Sequence, residues 1–189
     1  MIETFKIIET IYYVLNRLGH TADKITLIKL IYLADKYHLI RYGRTITNDE
    51  YFAMQHGPVG STVKDLLSCD DDYLTSKELT YFNRLIKKFG ALNYRANKLA
   101  RKPALDMLSD TDKEALEFVV RTFGEYSSWK LRDYTHRYPE WLQCRDLFQA
   151  KRAKRERIET KERLSTVDDI FGLSADHVTD SKHLVAGLI

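Results

Sequence analysis

Residues 51–67, YFAMQHGPVGSTVKDLL, decide the fold, because an extended pattern turns into a helical one within them. Alternation along residues 51–55 puts Phe52 and Met54 on one face of a strand and Tyr51, Ala53 and Gln55 on the other. Gly57 frees the backbone at the turn. Pro58 suits the first position of a helix, where its missing N–H would have no partner anyway. Val59, Val63, Leu66 and Leu67 then recur at helical spacing while Lys64 and Asp65 face outward. The pattern predicts a strand, a Gly-Pro turn and a helix.

Upstream, residues 1–18 place Phe5, Ile8, Tyr12, Leu15 and Leu18 on one side of a helix, with Gly19 as its stop. Thr21 is predicted to cap a second helix ending near Tyr42, just before Gly43. Its stripe of Ile25, Ile28, Ile31, Ala34 and His38 is widened by Leu27, Leu30, Leu33 and Tyr37. A helix apolar round so much of its circumference belongs in the middle of a bundle.

Downstream, Asn48-Asp49 is a turn signal, and residues 75–89 fit a helix closed by Gly90. Residues 91–107 lack helical periodicity and read as two short strands, 92–97 and 102–107, which would join 51–55 in a three-stranded sheet. Ser109 caps the next helix, with Asp110 and Asp112 in its first turn. Ser127 or Ser128 caps a shorter one containing Trp129, and Pro139 opens a helix predicted to reach Arg163. Thr166 caps a short turn and Ser174 a final helix. The fold class expected is mainly α (α+β), a helical bundle with a small antiparallel sheet of two or three short strands.

A chain of 189 residues suits one domain with an appendage and buries roughly 70% of its unfolded surface. The formal charge of +3 is uneven: residues 151–163 hold seven Lys/Arg against three Glu, and residues 164–189 four Asp against one Lys. Residues 1–150 are thus near neutral, which argues against a nucleic-acid protein with a basic stripe on its body. The division expected is a domain at 1–150 and a charged helical extension at 151–189, packing on it or projecting from it. No stretch has the order of a signal peptide, and the apolar run at 25–33 is broken by Lys29, far short of the about 20 residues a membrane span needs. A cytoplasmic protein with no membrane partner is expected.

Candidate chemistry is sparse. Cys69 and Cys144 make no metal spacing, and His20, His38, His56 and His136 lie 18 or more residues apart. Asp35 and His38, at i and i+3, are placed to hydrogen-bond on one helix face. There is no G-x-S-x-G elbow, and GPVGST lacks the phosphate-loop spacing, leaving only the Gly60 and Ser61 amides as an anion site. No catalytic residue, metal or cofactor is expected. In KRAKRERIETKER, helical spacing sets Arg152 beside Glu156, Arg155 beside Glu159 and Glu159 beside Arg163, which suits a solvated helix or one docked on an acidic protein surface. Tyr32, Tyr37, Tyr51, Tyr126 and Tyr134 are interface candidates.

Three blocks occur in an order that resembles one family: KLIYLADKYHLIRYGR at 29–44, the opening stretch at 51–67, and LSDTDKEALEFVVRTFGEYSSWKLRDYTHRYPEW at 108–141. Together they resemble the Panacea domain, the SocA-like antitoxin domain. The resemblance implies a mainly helical domain with a small sheet, the antitoxin of a bacterial or phage toxin–antitoxin pair, which neutralises a cognate protein toxin by direct binding. Some members instead deliver a toxin to a protease. No catalytic residue carries over. On this reading Lys29, Gly57, Pro58, Thr135, His136 and Trp141 are structural motif residues. Tyr51, Gln55 and His56, with Tyr32, Arg152 and Arg155, are candidate partner contacts. The rival expectations are a nucleic-acid-binding regulator working through Arg152, Arg155 and Arg157, and a hydrolase using His56, Asp35 or His136.

Overall fold

A computed structural model describes residues 3–68, 74–101, 103–166 and 168–187. The first helix, α1 (Thr4–Leu18), ends at Gly19 as its sequence predicts. After strand β1 (Ala22–Asp23) comes α2 (Lys24–Tyr42), in which every residue from Thr26 to Ile40 is buried. It is the central post of the bundle. Its cap is Asp23 and not Thr21, because the chain is pinned as a strand at 22–23 and the Asp23 carboxylate then accepts both the amide (3.0 Å) and the hydroxyl (2.8 Å) of Thr26.

The decisive stretch forms a hairpin of β2 (Tyr51–Met54) and β3 (Gly57–Gly60), followed by α3 (Ser61–Leu66). Pro58 therefore sits in a strand, opposite Ala53, and does not open the helix as expected. Two conditions explain the shift. The strand β3 is at the edge of its sheet, where a missing N–H breaks no ladder, and the Asp49 carboxylate accepts the Thr62 and Val63 amides at 3.0 Å each. The cap comes from outside the helix and fixes its start at Ser61. The Ser61 amide donates to the Glu50 carbonyl at 2.8 Å and Gly60 is paired with Tyr51 in the sheet, so the anion site considered at Gly60 and Ser61 is not formed.

A second hairpin departs from expectation too. Helix α4 (Ser76–Leu85), with Thr75 and Glu78 as its capping box, gives way to β4 (Ile86–Phe89), which pairs with β5 (Asn93–Ala96). The strand expected at 92–97 is thus present. That expected at 102–107 is absent from residues 103–107, residue 102 lying outside the described ones. Strands β1, β5 and β4 make one sheet, separate from that of β2. The fully buried Tyr94, whose hydroxyl donates to the Leu67 carbonyl, ties the β5 strand to the end of α3.

Helices α5 (Asp110–Phe123) and α6 (Ser128–Thr135) begin at caps Ser109 and Ser127. The long helix expected from Pro139 to Arg163 is corrected to α7 (Pro139–Leu142), α8 (Arg145–Gln149), strand β6 (Arg155–Ile158) and α9 (Thr160–Arg163). Lys151, at φ +53°, takes a left-handed conformation that ends the helix. The open side of β2 then receives β6, Tyr51 facing Ile158 and Met54 facing Arg155. With residues 155–158 extended, the expected Arg152–Glu156 and Arg155–Glu159 pairs lose their helical spacing, and Arg157 pairs instead with Glu50 (3.6 Å) and Glu159 (3.3 Å). A 3₁₀ turn at Asp169–Phe171 is capped by Asp168 and not by Thr166. Finally α10 (Ala175–Ala186) lies on α2, where Ser181 donates to the Ile40 carbonyl at 2.7 Å. The expected class, mainly α with small antiparallel β, is observed, with two three-stranded sheets among the described residues in place of one. Among the described residues no helix is long and apolar enough to cross a membrane.

Candidate functional site

The turn of the first hairpin is clamped from both sides. Lys29, from the middle of α2, is buried and its Nζ donates to the Pro58 carbonyl at 2.7 Å. Trp141 Nε1 donates to the Met54 carbonyl at 2.8 Å, and the His136 ring lies flat on the Trp141 ring, centroids 3.6 Å apart. Between them Gly57 takes φ +98°, and a Cβ there would stand 2.6 Å from Lys29 Nζ, 3.0 Å from His136 Cδ2 and 3.1 Å from Thr135 Oγ1. Lys29, Gly57, Pro58, Thr135, His136 and Trp141, dispersed in sequence, meet at one joint between sheet and bundle.

Burial pulls the Lys29 pKa well below its ordinary value, and the nearby Arg132 adds to this. His136 is lowered to about 4, first by burial and then by Lys29 and Arg132. The unfolded imidazole binds a proton below about 6.5 while the folded one holds out to the lowered value. Stability from this group is therefore full above that unfolded pKa and lost as pH falls through the folded one. For a partly exposed ring, screening leaves roughly 1–2 kcal/mol. His136→Gln is expected to lose less stability than wild type between pH 7.5 and about 4.5. Urea midpoints that fall in parallel for the two proteins would refute this.

Beneath the joint lies a buried polar network. Asp35 accepts the amides of Ile46 (2.7 Å) and Thr47 (3.1 Å) and the hydroxyls of Thr47 and Tyr51. Glu140 accepts from Tyr32 and from Lys36 Nζ, the latter at 2.6 Å, and Lys36 also donates to the Arg163 carbonyl. Tyr134 and Tyr138 both donate to Asp168. The expectation that Tyr32 and Tyr51 face a partner is thereby corrected: they are 0% and 2% exposed, with their hydroxyls held by Glu140 and Asp35. Tyr37 is buried as well, stacked on Phe118, while Tyr126 and Tyr134 are half-buried.

Gln55 and His56 are exposed, at the tip of the hairpin. The His56 ring meets the edge of Trp129, and the Arg132 guanidinium lies 4.7 Å from the centre of the Trp129 ring. Trp129 is 56% exposed, a feature that sequence reasoning missed, placing the residue in the short helix without assigning it to the surface. The spacing held the signal: Leu131 and Thr135, at i and i+4, are the inward face of α6, which leaves Trp129 and Arg132 on the other side. Next to this patch a groove of about 630 Å³ runs between α2, the hairpin and the end of α8. Arg155, opposite Met54, lies over the Phe52 ring at 4.9 Å, and Arg152 is exposed in the preceding loop; neither lines the groove.

The residues weighed for catalysis occupy separate settings. His38 contacts the Arg44 carbonyl (2.7 Å), Thr111 Oγ1 (3.1 Å) and Asp112 (3.2 Å), so the Asp35–His38 pair is not made. Asp35 is consumed by the network, His136 by its stack, and His56 stands at the surface. Among the described residues no group of His, Cys, Asp and Glu is arranged to hold a metal. Cys144 is a buried free thiol, and Cys69 lies outside the described residues.

The chain is thus a mainly helical domain in which a clamped hairpin joint stands beside an aromatic and basic patch. The family model of the antitoxin SocA-like Panacea domain matches residues 27–142, more than half of the chain and all six residues of the joint. The chain belongs to that family. No curated protein and no solved structure matches it.

Proposed function

We propose that this chain is a cytoplasmic, non-enzymatic antitoxin that neutralises a cognate protein toxin by direct binding, with Gln55, His56, Trp129 and Arg132 in the contact surface and no cofactor. The observation that carries the assignment is the exposed Trp129 with Arg132 on its ring, mounted beside a clamped hairpin. Trp and Arg are the residues that most often anchor protein interfaces, and a surface fixed before binding loses little entropy on docking. Membership of an antitoxin family supports the same reading. Residues 151–189 belong to the functional unit on this proposal, since β6 completes the hairpin's sheet and α10 covers α2.

The test is growth of cells expressing the product of the adjacent gene, with and without this chain. Rescue is expected, and Trp129→Ala is expected to weaken the complex by about 30-fold or more, the loss of one anchor residue, while melting like wild type. An adjacent product that is not toxic, or toxicity unrelieved by this chain, overturns the antitoxin reading. Full rescue and unchanged affinity with Trp129→Ala overturn the surface assignment. Toxin that accumulates in a stable complex fits sequestration, whereas toxin that disappears only when this chain and an active protease are both present fits the adaptor alternative.

A further inference from the structure

We propose that the groove beside the hairpin receives an acidic segment of the toxin, its apolar side chains on the groove floor and its carboxylates against the rim. This rests on the antitoxin reading and adds the chemistry of the partner. The floor is apolar: Ile28, Val59 and Phe148 are buried there, with Ile25 and Met54 partly exposed beside them. A volume of about 630 Å³ accommodates a few large side chains, so a short segment fits it and a broad folded face does not.

The rim has one sign of charge. Lys24, Lys64, Lys151 and Lys154 line it, Lys29 closes its back, and no described lining residue is Asp or Glu. Lys64 has Asp65 at 3.0 Å as a neighbour, and Lys24 donates to Ser68 at 2.5 Å. Lys151 and Lys154 are exposed where α8 turns into β6, and that corner is held by the Lys151 amide on the Phe148 carbonyl (3.1 Å) and the Arg152 amide on the Leu147 carbonyl (2.9 Å). A cleft with apolar walls and cations of one sign focuses a positive potential, which attracts a carboxylate and rejects a basic or merely greasy segment. Nucleic acid is the poorer occupant. A phosphate backbone asks for a continuous basic stripe, whereas these cations ring an aliphatic floor, and the neighbouring Arg157 is engaged by Glu50 and Glu159.

The experiment uses the full chain and the adjacent-gene toxin, with Lys151→Glu/Lys154→Glu as the variant, both sites being exposed so that its melting should match wild type. At about 50 mM salt the variant is expected to bind at least about tenfold more weakly, and the gap is expected to narrow at about 300 mM as screening grows. A photo-crosslinker at position 154 is expected to label an acidic segment of the toxin, and exchanging that segment's carboxylates for lysines is expected to restore binding to the variant. Toxin bound and neutralised equally by variant and wild type, or crosslinks to a neutral or basic segment, would overturn the groove assignment and leave the antitoxin reading standing. No binding of toxin to the wild-type chain overturns both. Retention of a 30-mer RNA or DNA by wild type, lost in the variant, would give the groove to nucleic acid and overturn the proposal.

Discussion

Gly57→Ala is expected to destabilise the protein by about 2–5 kcal/mol, a large share of the roughly 5–15 kcal/mol that holds a domain of this kind together. Two costs combine. At φ +98° a side chain strains the backbone by about 1–2 kcal/mol. The added methyl would also stand 2.6 Å from Lys29 Nζ, and Lys29 is buried and bonded to the Pro58 carbonyl, so moving it leaves a buried donor without a partner at about 1–3 kcal/mol more. His136 and Thr135, at 3.0 and 3.1 Å, block the other exits. Gly90→Ala separates the two costs, because Gly90 also has a positive φ of +59° but meets nothing within 4 Å. It should cost only the backbone part, about 1 kcal/mol. Urea unfolding of both variants decides the matter: equal losses would mean that the clamp around Gly57 is not tight. The same substitution should weaken toxin binding, since it displaces the turn that carries Gln55 and His56.

What was legible in the sequence follows from whether the deciding physics was local. Helix α2 was readable as the centre of a bundle because its apolar residues cover most of its circumference, and the caps Ser109 and Ser174, with the α6 cap narrowed to Ser127 or Ser128, were readable because a cap is satisfied within a few residues. Strand β6 was not. Residues 155–158, RERI, have ordinary helix-forming side chains, and their state is set by the unpaired edge of a strand about a hundred positions earlier. The start of α3 was misplaced for a similar reason: its cap, Asp49, lies in the loop before the hairpin. Partner contacts failed or held on burial alone. Tyr32 and Tyr51 look like any surface tyrosines until Glu140, 108 residues away, and Asp35 claim their hydroxyls. The six joint residues could be grouped by resemblance, but that Lys29 reaches the Pro58 carbonyl and Trp141 the Met54 carbonyl is information held only in three dimensions.

Lys36→Met is expected to cost about 3–5 kcal/mol, and adding Glu140→Leu is expected to return much of it. The two charged groups are 2.6 Å apart with both side chains fully buried. Burial pulls the Lys36 pKa down and the Glu140 carboxylate pushes back against that shift, so the carboxylate helps to keep the ammonium charged. The ammonium has further partners, the Arg163 carbonyl at 2.9 Å and the Tyr138 ring 4.3 Å below it, whereas Glu140 Oε2 has no protein partner. Removing the lysine thus leaves a carboxylate supported by Tyr32 alone in a site closed to water, the circumstance in which an unpaired buried charge is most costly. An apolar pair would carry no such debt. It would, however, leave the Arg163 carbonyl and the Tyr32 hydroxyl unmatched, which is why recovery should be partial. Since Lys36 joins α2 to α7 and α9, while the hairpin is clamped separately through Lys29 and Trp141, the double variant should still bind the toxin. A double-mutant cycle by urea unfolding reads the coupling. Single losses that simply add would show that the pair acts as two independent residues, and loss of toxin binding in a folded double variant would show that the buried network also sets the contact surface.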